Sequence, residues 1–207
     1  MALRDRVARL ASIGVMDKTL FLGTSLLTLM LHAPAAWAQP AAAKLLPARS
    51  EVGFVSKQMG VPVDGHFKRF DAQIQLDPRK PEGGSIVVNV DTGSATLGSP
   101  EPDAEMPKAP WFNAAKFPQA TFKSSSVKAA GGGKFEVAGK LQIKGQARDI
   151  VVPVQIVQSG ADATASGSFV IKRLDFGIGE GEWADTSVVT NEVTVKFKLA
   201  LNGLGPL

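Results

Sequence analysis

The strongest constraint on this chain is an alternation of apolar and polar residues with a period of two, repeated along most of its length. In "FDAQIQLD", Phe70, Ala72, Ile74 and Leu76 share one face of an extended segment, Asp71, Gln73, Gln75 and Asp77 share the other, and Pro78 ends the run. The same reading covers Val52 and Phe54; Ile86, Val88 and Val90; Ala120 and Phe122; and Phe135, Val137, Leu141 and Ile143. It continues through Ile150, Val152, Val154 and Ile156; Phe169 and Ile171; and Val193, Val195, Phe197, Leu199 and Leu201. Turn-forming residues separate these eight candidate strands, and helical periodicity is nearly absent. The fold class is therefore all-β. One-sided strands with short turns predict an antiparallel sheet, and closing eight strands into a barrel removes exposed edges. A two-sheet sandwich satisfies the same alternation, and a barrel of this size is either packed solid or wide enough for one small ligand.

The first 38 residues read differently. Basic Arg4, Arg6, Arg9 and Lys18 precede or open an apolar run from Thr19 to Leu31, and Ala36-Trp37-Ala38 has the small-x-small form of a cleavage site. The run holds 13 residues, short of the roughly 20 needed to span a bilayer. The expectation is a signal peptide over 1–38 cleaved after Ala38, an Ala/Pro linker over 39–48 and one barrel domain over 49–202; the start is Met1 or Met16. The chain has no cysteine, which excludes disulfides, thiolate metal sites and a lipidated-cysteine anchor and suits a periplasmic location. Beyond the leader the charges nearly balance and the lysines are scattered, so neither nucleic acid nor stable membrane insertion is expected. A homodimer stays open.

Catalytic chemistry finds little to work with. Past the leader there is one histidine, His66, read as a turn or rim residue; no two-histidine acid/base pair or His-rich metal site can form within one subunit. Glu101, Asp103 and Glu105 read as a solvated loop face, Glu180, Glu182 and Asp185 as a charged hairpin tip, and "GGGK" at Gly131 to Lys134 as a turn. No catalytic residue, metal ligand or cofactor is expected. What remains is apolar surface. The segment from Thr92 to Pro118 lacks alternation, and Pro100, Pro102, Pro107, Pro110 and Pro118 keep it from being a regular central strand; a long, partly helical loop is expected. It leads into "PWFNAAKFPQATF", which gathers Trp111, Phe112, Phe117 and Phe122. Burying one Phe side chain is worth roughly 1.5–3 kcal/mol, so these rings must dock on the sheet or line an opening. Trp111 and Phe112 are expected to cover the barrel mouth, and Phe122 to point inward as a core residue.

At this point the sequence resembles the YceI family of periplasmic, lipocalin-like, polyisoprenoid-binding proteins. The segments "SEVGFVSKQMG", "VDGHFKRFDAQIQLDP", "KAPWFNAAKFPQATFKSSSV", "FEVAGKLQIKGQARDIVVPV" and "SGSFVIKRLDFGIG…VTNEVTVKFKLAL" follow the family's order across Arg49 to Leu201. Its most specific pieces are the block Trp111, Phe112, Pro118 and Phe122 and the block Arg173, Asp175, Phe176 and Gly177. The resemblance implies a barrel whose interior takes a long prenyl chain, in some members that of a quinone or related amphiphile, with the bound isoprenoid lipid as partner rather than cofactor. Other hydrophobic small molecules, or a ligand-free partner-binding barrel, are the alternatives. Together with the alternation it nominates Val52, Phe54, Phe70, Ile74, Val88, Trp111, Phe112, Phe122, Val152, Phe169, Phe176 and Phe197 as ligand-contacting residues of cavity and rim. Two departures stand out: many relatives carry His where this chain has Gln58 and Lys144, and the loop around "SPEPDAEMP" differs at Pro102.

Overall fold

A computed structural model describes residues 42–207; the predicted leader and residues 39–41 of the predicted linker lie outside the described residues. Eleven strands form among the described residues, all paired antiparallel. They are β1 (Ala42–Leu45), β2 (Glu51–Gln58), β3 (Val61–Phe67), β4 (Phe70–Gln75), β5 (Ser85–Asp91) and β6 (Ala95–Thr96), followed by β7 (Gln119–Gly131), β8 (Lys134–Ile143), β9 (Gln146–Ser159), β10 (Asp162–Lys172) and β11 (Glu192–Asn202). One six-residue helix, α1 (Pro100–Glu105), interrupts the Pro-rich loop.

These segments make eight staves of one closed barrel. The ring runs β1-β4-β5-β7-β8-β9-β10-β11 and returns from β11 to β1. β2, β3 and β6 are the upper continuations of β1, β4 and β5: β11 pairs with β1 through Leu201 and Asn202 and with β2 through Thr194 to Lys198. β3 then pairs with β2, and β6 with β3. Each of the eight predicted strands lies in its own stave. Residues 42–48, expected as linker, are corrected by the structure: Ala42–Leu45 is the strand that closes the ring, and Pro47–Arg49 is a 3-10 turn. Alanine-rich "AAKL" carries little strand propensity, and its partners Ile74, Leu201 and Asn202 are remote in sequence.

The breaks in the three bent staves lie side by side and are repaired by side chains. Pro47 has no N–H for a ladder, and there Ser50 Oγ donates to Leu46 O at 2.8 Å while accepting from Ala200 N at 2.9 Å. Between β3 and β4, Lys68 N donates to Ser94 O and Arg69 N to Ser94 Oγ, each at 3.0 Å. Such pairing satisfies backbone groups that a broken strand would leave bare. Above the breaks β6 is only two residues long, so the wall between it and β7 is completed by the Pro-rich loop.

A second irregularity shapes the upper half. β9 and β10 pair only from Asp162↔Ser159 to Ser166↔Gln155. Pro153 offers no N–H beyond that point, and Gly167 lies so close to the Pro153 carbonyl that a Cβ there would collide with it. The strands then part. Phe176, almost wholly buried on the turn Arg173–Phe176 that follows β10, reaches back to β9, where the Arg148 guanidinium lies 5.9 Å from its ring centre.

Candidate ligand site

The inward faces of the staves enclose apolar space rather than a solid core. Two cavities of about 130 and 140 Å³ stack along the barrel, with a smaller one of about 30 Å³ below. They share walls: Val52, Val90 and Phe169 border both large cavities, and Ile74, Ile86 and Val137 border the middle and lower ones. The result is a column of adjoining apolar cavities, the lumen of the barrel. Its register is that of the sheet, with Val88 opposite Phe122, Phe122 opposite Leu141, and Phe197 opposite Val52. Val88, Val90, Phe122, Phe169 and Phe197 lie in its walls yet are only half-buried, which is what side chains bordering an unfilled space show.

Ten of the twelve nominated residues lie in this wall. Phe54, Trp111 and Phe112 border the upper cavity, Ile74, Val88, Phe122, Val152 and Phe197 the middle one, and Val52 and Phe169 both. The structure corrects two nominations. Phe70 shares the inward phase of its strand, but it lies at the stave break and borders a polar surface hollow with Pro47, Ser50 and Arg69. Phe176 fills the parting of β9 and β10 instead of facing the lumen.

Trp111 and Phe112 are not a lip over an open mouth. Both are buried within the upper wall, held by Trp111 N donating to Lys108 O and Phe112 N to Met106 O, each at 3.1 Å. Phe112 stands edge-on to Phe67 at 5.7 Å between ring centres, and Phe67 meets Phe54 at 5.6 Å. On the other side Trp111 meets Trp183 at 5.4 Å. The Trp111 indole Nε1–H is buried and finds no acceptor among the described residues, an expensive state for a donor.

The roof of the upper cavity is the connection from Arg173 to Asn191, where a hairpin tip was expected around Glu180, Glu182 and Asp185. Arg173 organises it. Its guanidinium, 2% exposed, donates from Nε to Thr190 O, from Nη1 to Ile178 O and Gly179 O, and from Nη2 to Trp183 O and Val189 O. Burial pulls its pKa below the ordinary arginine value, and the carbonyls stand in for the water it has lost. Lys144, also buried, donates from Nζ to Gly177 O and, at 2.8 Å, to Glu180 Oε2. Pro110 O accepts from Gly179 N at 2.8 Å and Glu180 N at 3.0 Å, tying roof to Pro-rich loop. Sequence reasoning missed Phe67, Trp183 and the role of Lys144; a Gly after Lys144 marked a turn, but nothing local placed its ammonium under the roof.

His66 lies on the outer, exposed face of β3, a strand and not a turn. Of the acidic groups, Asp103 on α1 is structural. Thr96 Oγ1 and, at 2.6 Å, Leu97 N donate to its carboxylate, which holds its pKa below the usual carboxylate range. Asp162 is lowered by Asn202 and Arg49, and Asp185 by Ser187. A carboxyl with a depressed folded pKa stabilises the fold above its unfolded value of about 3.9, and that stabilisation disappears as pH falls through the folded value. Urea midpoints should therefore fall below pH ~4, and Asp103→Asn should make the fall shallower; an unchanged pH slope in that variant would refute the assignment.

A closed eight-stave antiparallel barrel around stacked apolar cavities belongs to the lipocalin-like class. Within it, the YceI-like domain family matches residues 44–201, and the chain belongs to that family. A UPF0312 protein of Vibrio cholerae is 33% identical over 138 residues, 63% of this chain and 73% of its own. The Burkholderia cenocepacia BcnA crystal structure is 46% identical with a TM-score of 0.74, covering 76% of this chain and 99% of its own. A polyisoprenoid binding domain from Saccharophagus degradans, 18% identical, shares the fold at a TM-score of 0.63 over 80% of this chain and 99% of its own.

Proposed function

We propose that this protein is a non-enzymatic carrier for a prenyl-tailed amphiphile, acting in the periplasm. The observation that carries the reading is the stack of adjoining apolar cavities, the two large ones sharing walls of Val, Ala, Leu and Phe. A flexible hydrocarbon tail fits such a space. Each enclosed CH₂ contributes about 0.8 kcal/mol before ordering costs, so a long chain is held without a charged anchor. The walls of both large cavities are almost wholly apolar, which favours a ligand held by its hydrocarbon part rather than by a polar anchor. The description of the Saccharophagus domain as polyisoprenoid binding guides the choice of probe. The apolar run of the leader supports export; among the described residues no helix is long and apolar enough to cross a membrane.

The test is mass spectrometry of an organic extract of protein purified from its native host. A prenyl-tailed lipid in stoichiometric amount is expected; another hydrophobic molecule, or an empty protein that binds no prenyl probe, would overturn the reading. Val88→Thr sharpens it. The swap keeps the volume but puts a hydroxyl in the middle cavity wall, and should weaken a fluorescent prenyl probe about tenfold, whereas Lys196→Ser on the outer face should change nothing.

A further inference from the structure

The tip of the β2–β3 hairpin breaks the rule for the turn it makes. Gln58 pairs with Val61, leaving Met59 and Gly60 to turn the chain with φ of 49° and 83°. This is the two-residue type I′ turn, for which Asn-Gly is the favoured pair and a long unbranched side chain in the first position is strained. The β8–β9 hairpin turns the same way at Lys144 and Gly145, with φ of 47° and 79°, and there the strained residue is kept for its buried bonds to the roof. Met59 is instead 77% exposed, beside Val61 at 63% and Val188 at 39%, and its N–H donates to Val188 O at 2.8 Å. An apolar side chain thus persists in water at a position where Asn would be less strained and more soluble, the kind of local conflict that marks function.

This tip is continuous with the lumen. Gln58, next to Met59, is exposed and also borders the upper cavity. Val189, next to Val188 and bridged to Gln58, is buried in the same wall. We propose that the tip docks on a lipid bilayer, with Met59, Val61 and Val188 entering the layer between head groups and acyl chains, so that ligand passes along the Gln58 edge without crossing bulk water. The inference rests on the carrier reading. Three side chains fall far short of the roughly 800 Å² per partner that a stable protein contact uses, whereas shallow insertion gains from each apolar group separately. The neighbouring charges favour uncharged lipid. Lys57 is the basic residue of the tip, and Glu182 and Asp185 are exposed on the adjoining roof, so among the described residues no basic patch faces an anionic membrane.

The experiment uses the purified full chain with vesicles of phosphatidylcholine and phosphatidylethanolamine. Wild type should float with the vesicles, equally at low and high salt. Met59→Asn, and separately Val188→Asn, should each lower that partition about tenfold, with Met59→Asn melting no lower than wild type because Asn suits the turn. In lipid-free solution both variants should bind a fluorescent prenyl probe as wild type does, while transfer of that probe from vesicles slows. Wild type that stays with the soluble fraction, or variants that partition as wild type does, would overturn the docking. A protein that binds vesicles through the tip but takes no probe would refute the carrier reading and leave the docking standing.

Discussion

Replacing Arg173 by Met should cost about 5 kcal/mol of stability, a size that the breaking of a buried polar network reaches. Met preserves much of the side chain's apolar stem but withdraws every donor that now serves Thr190 O, Ile178 O, Gly179 O, Trp183 O and Val189 O. These carbonyls belong to the roof of the upper cavity, a connection with little regular structure to satisfy them otherwise. Arg173→Lys should recover only part of the loss, because an ammonium keeps the charge but cannot reproduce the planar fork. Both variants should also bind a prenyl probe more weakly, since the roof carries Ile178 and Val189 of the cavity wall. Urea unfolding decides: a loss below about 1 kcal/mol would mean that water replaces the guanidinium and that the roof does not depend on it.

The contrast between this roof and the staves shows what a sequence can reveal. In "FDAQIQLD" and its counterparts the period of two is a local property, so strand existence and the inward face of Ile74, Val88, Val152 and Phe197 were readable one segment at a time. Segments whose strand character is imposed from outside were not. β3, "VPVDGHF", carries Pro62, Asp64 and Gly65 and is extended because β2 and β6 flank it; β1 is a strand because β4 and β11 leave a slot between them. Phe70 has the right phase in the wrong place, since phase does not reveal that the stave breaks at Lys68 and Arg69. Phe176 fails for a related reason: the parting of β9 and β10 follows from Pro153 and Gly167 meeting across two strands, and neither residue announces that meeting alone. Closure of the barrel, finally, is a matter of the β11–β1 pairing, which joins the two ends of the described chain.

Trp111 and Phe122 should exchange the roles that the sequence suggests for them. As a rim residue Trp111 would be dispensable for stability, and as a core residue Phe122 would not. In the structure Trp111 is 8% exposed, wedged between the upper cavity and Trp183, while Phe122 is half-buried against the middle cavity. Trp111→Ala should therefore cost about 3–5 kcal/mol, as a full deletion in a packed wall does. Phe122→Ala should cost about 1–2 kcal/mol, because one side of the ring has no neighbours to lose. Ligand readouts should diverge as well. Phe122→Ala widens the middle cavity and should admit a bulkier probe, whereas Trp111→Ala removes part of the upper wall and should weaken a prenyl probe. Equal losses of stability in the two variants would mean that the ring of Phe122 is packed on all sides in solution, and a barrel packed solid there has no space for a prenyl tail.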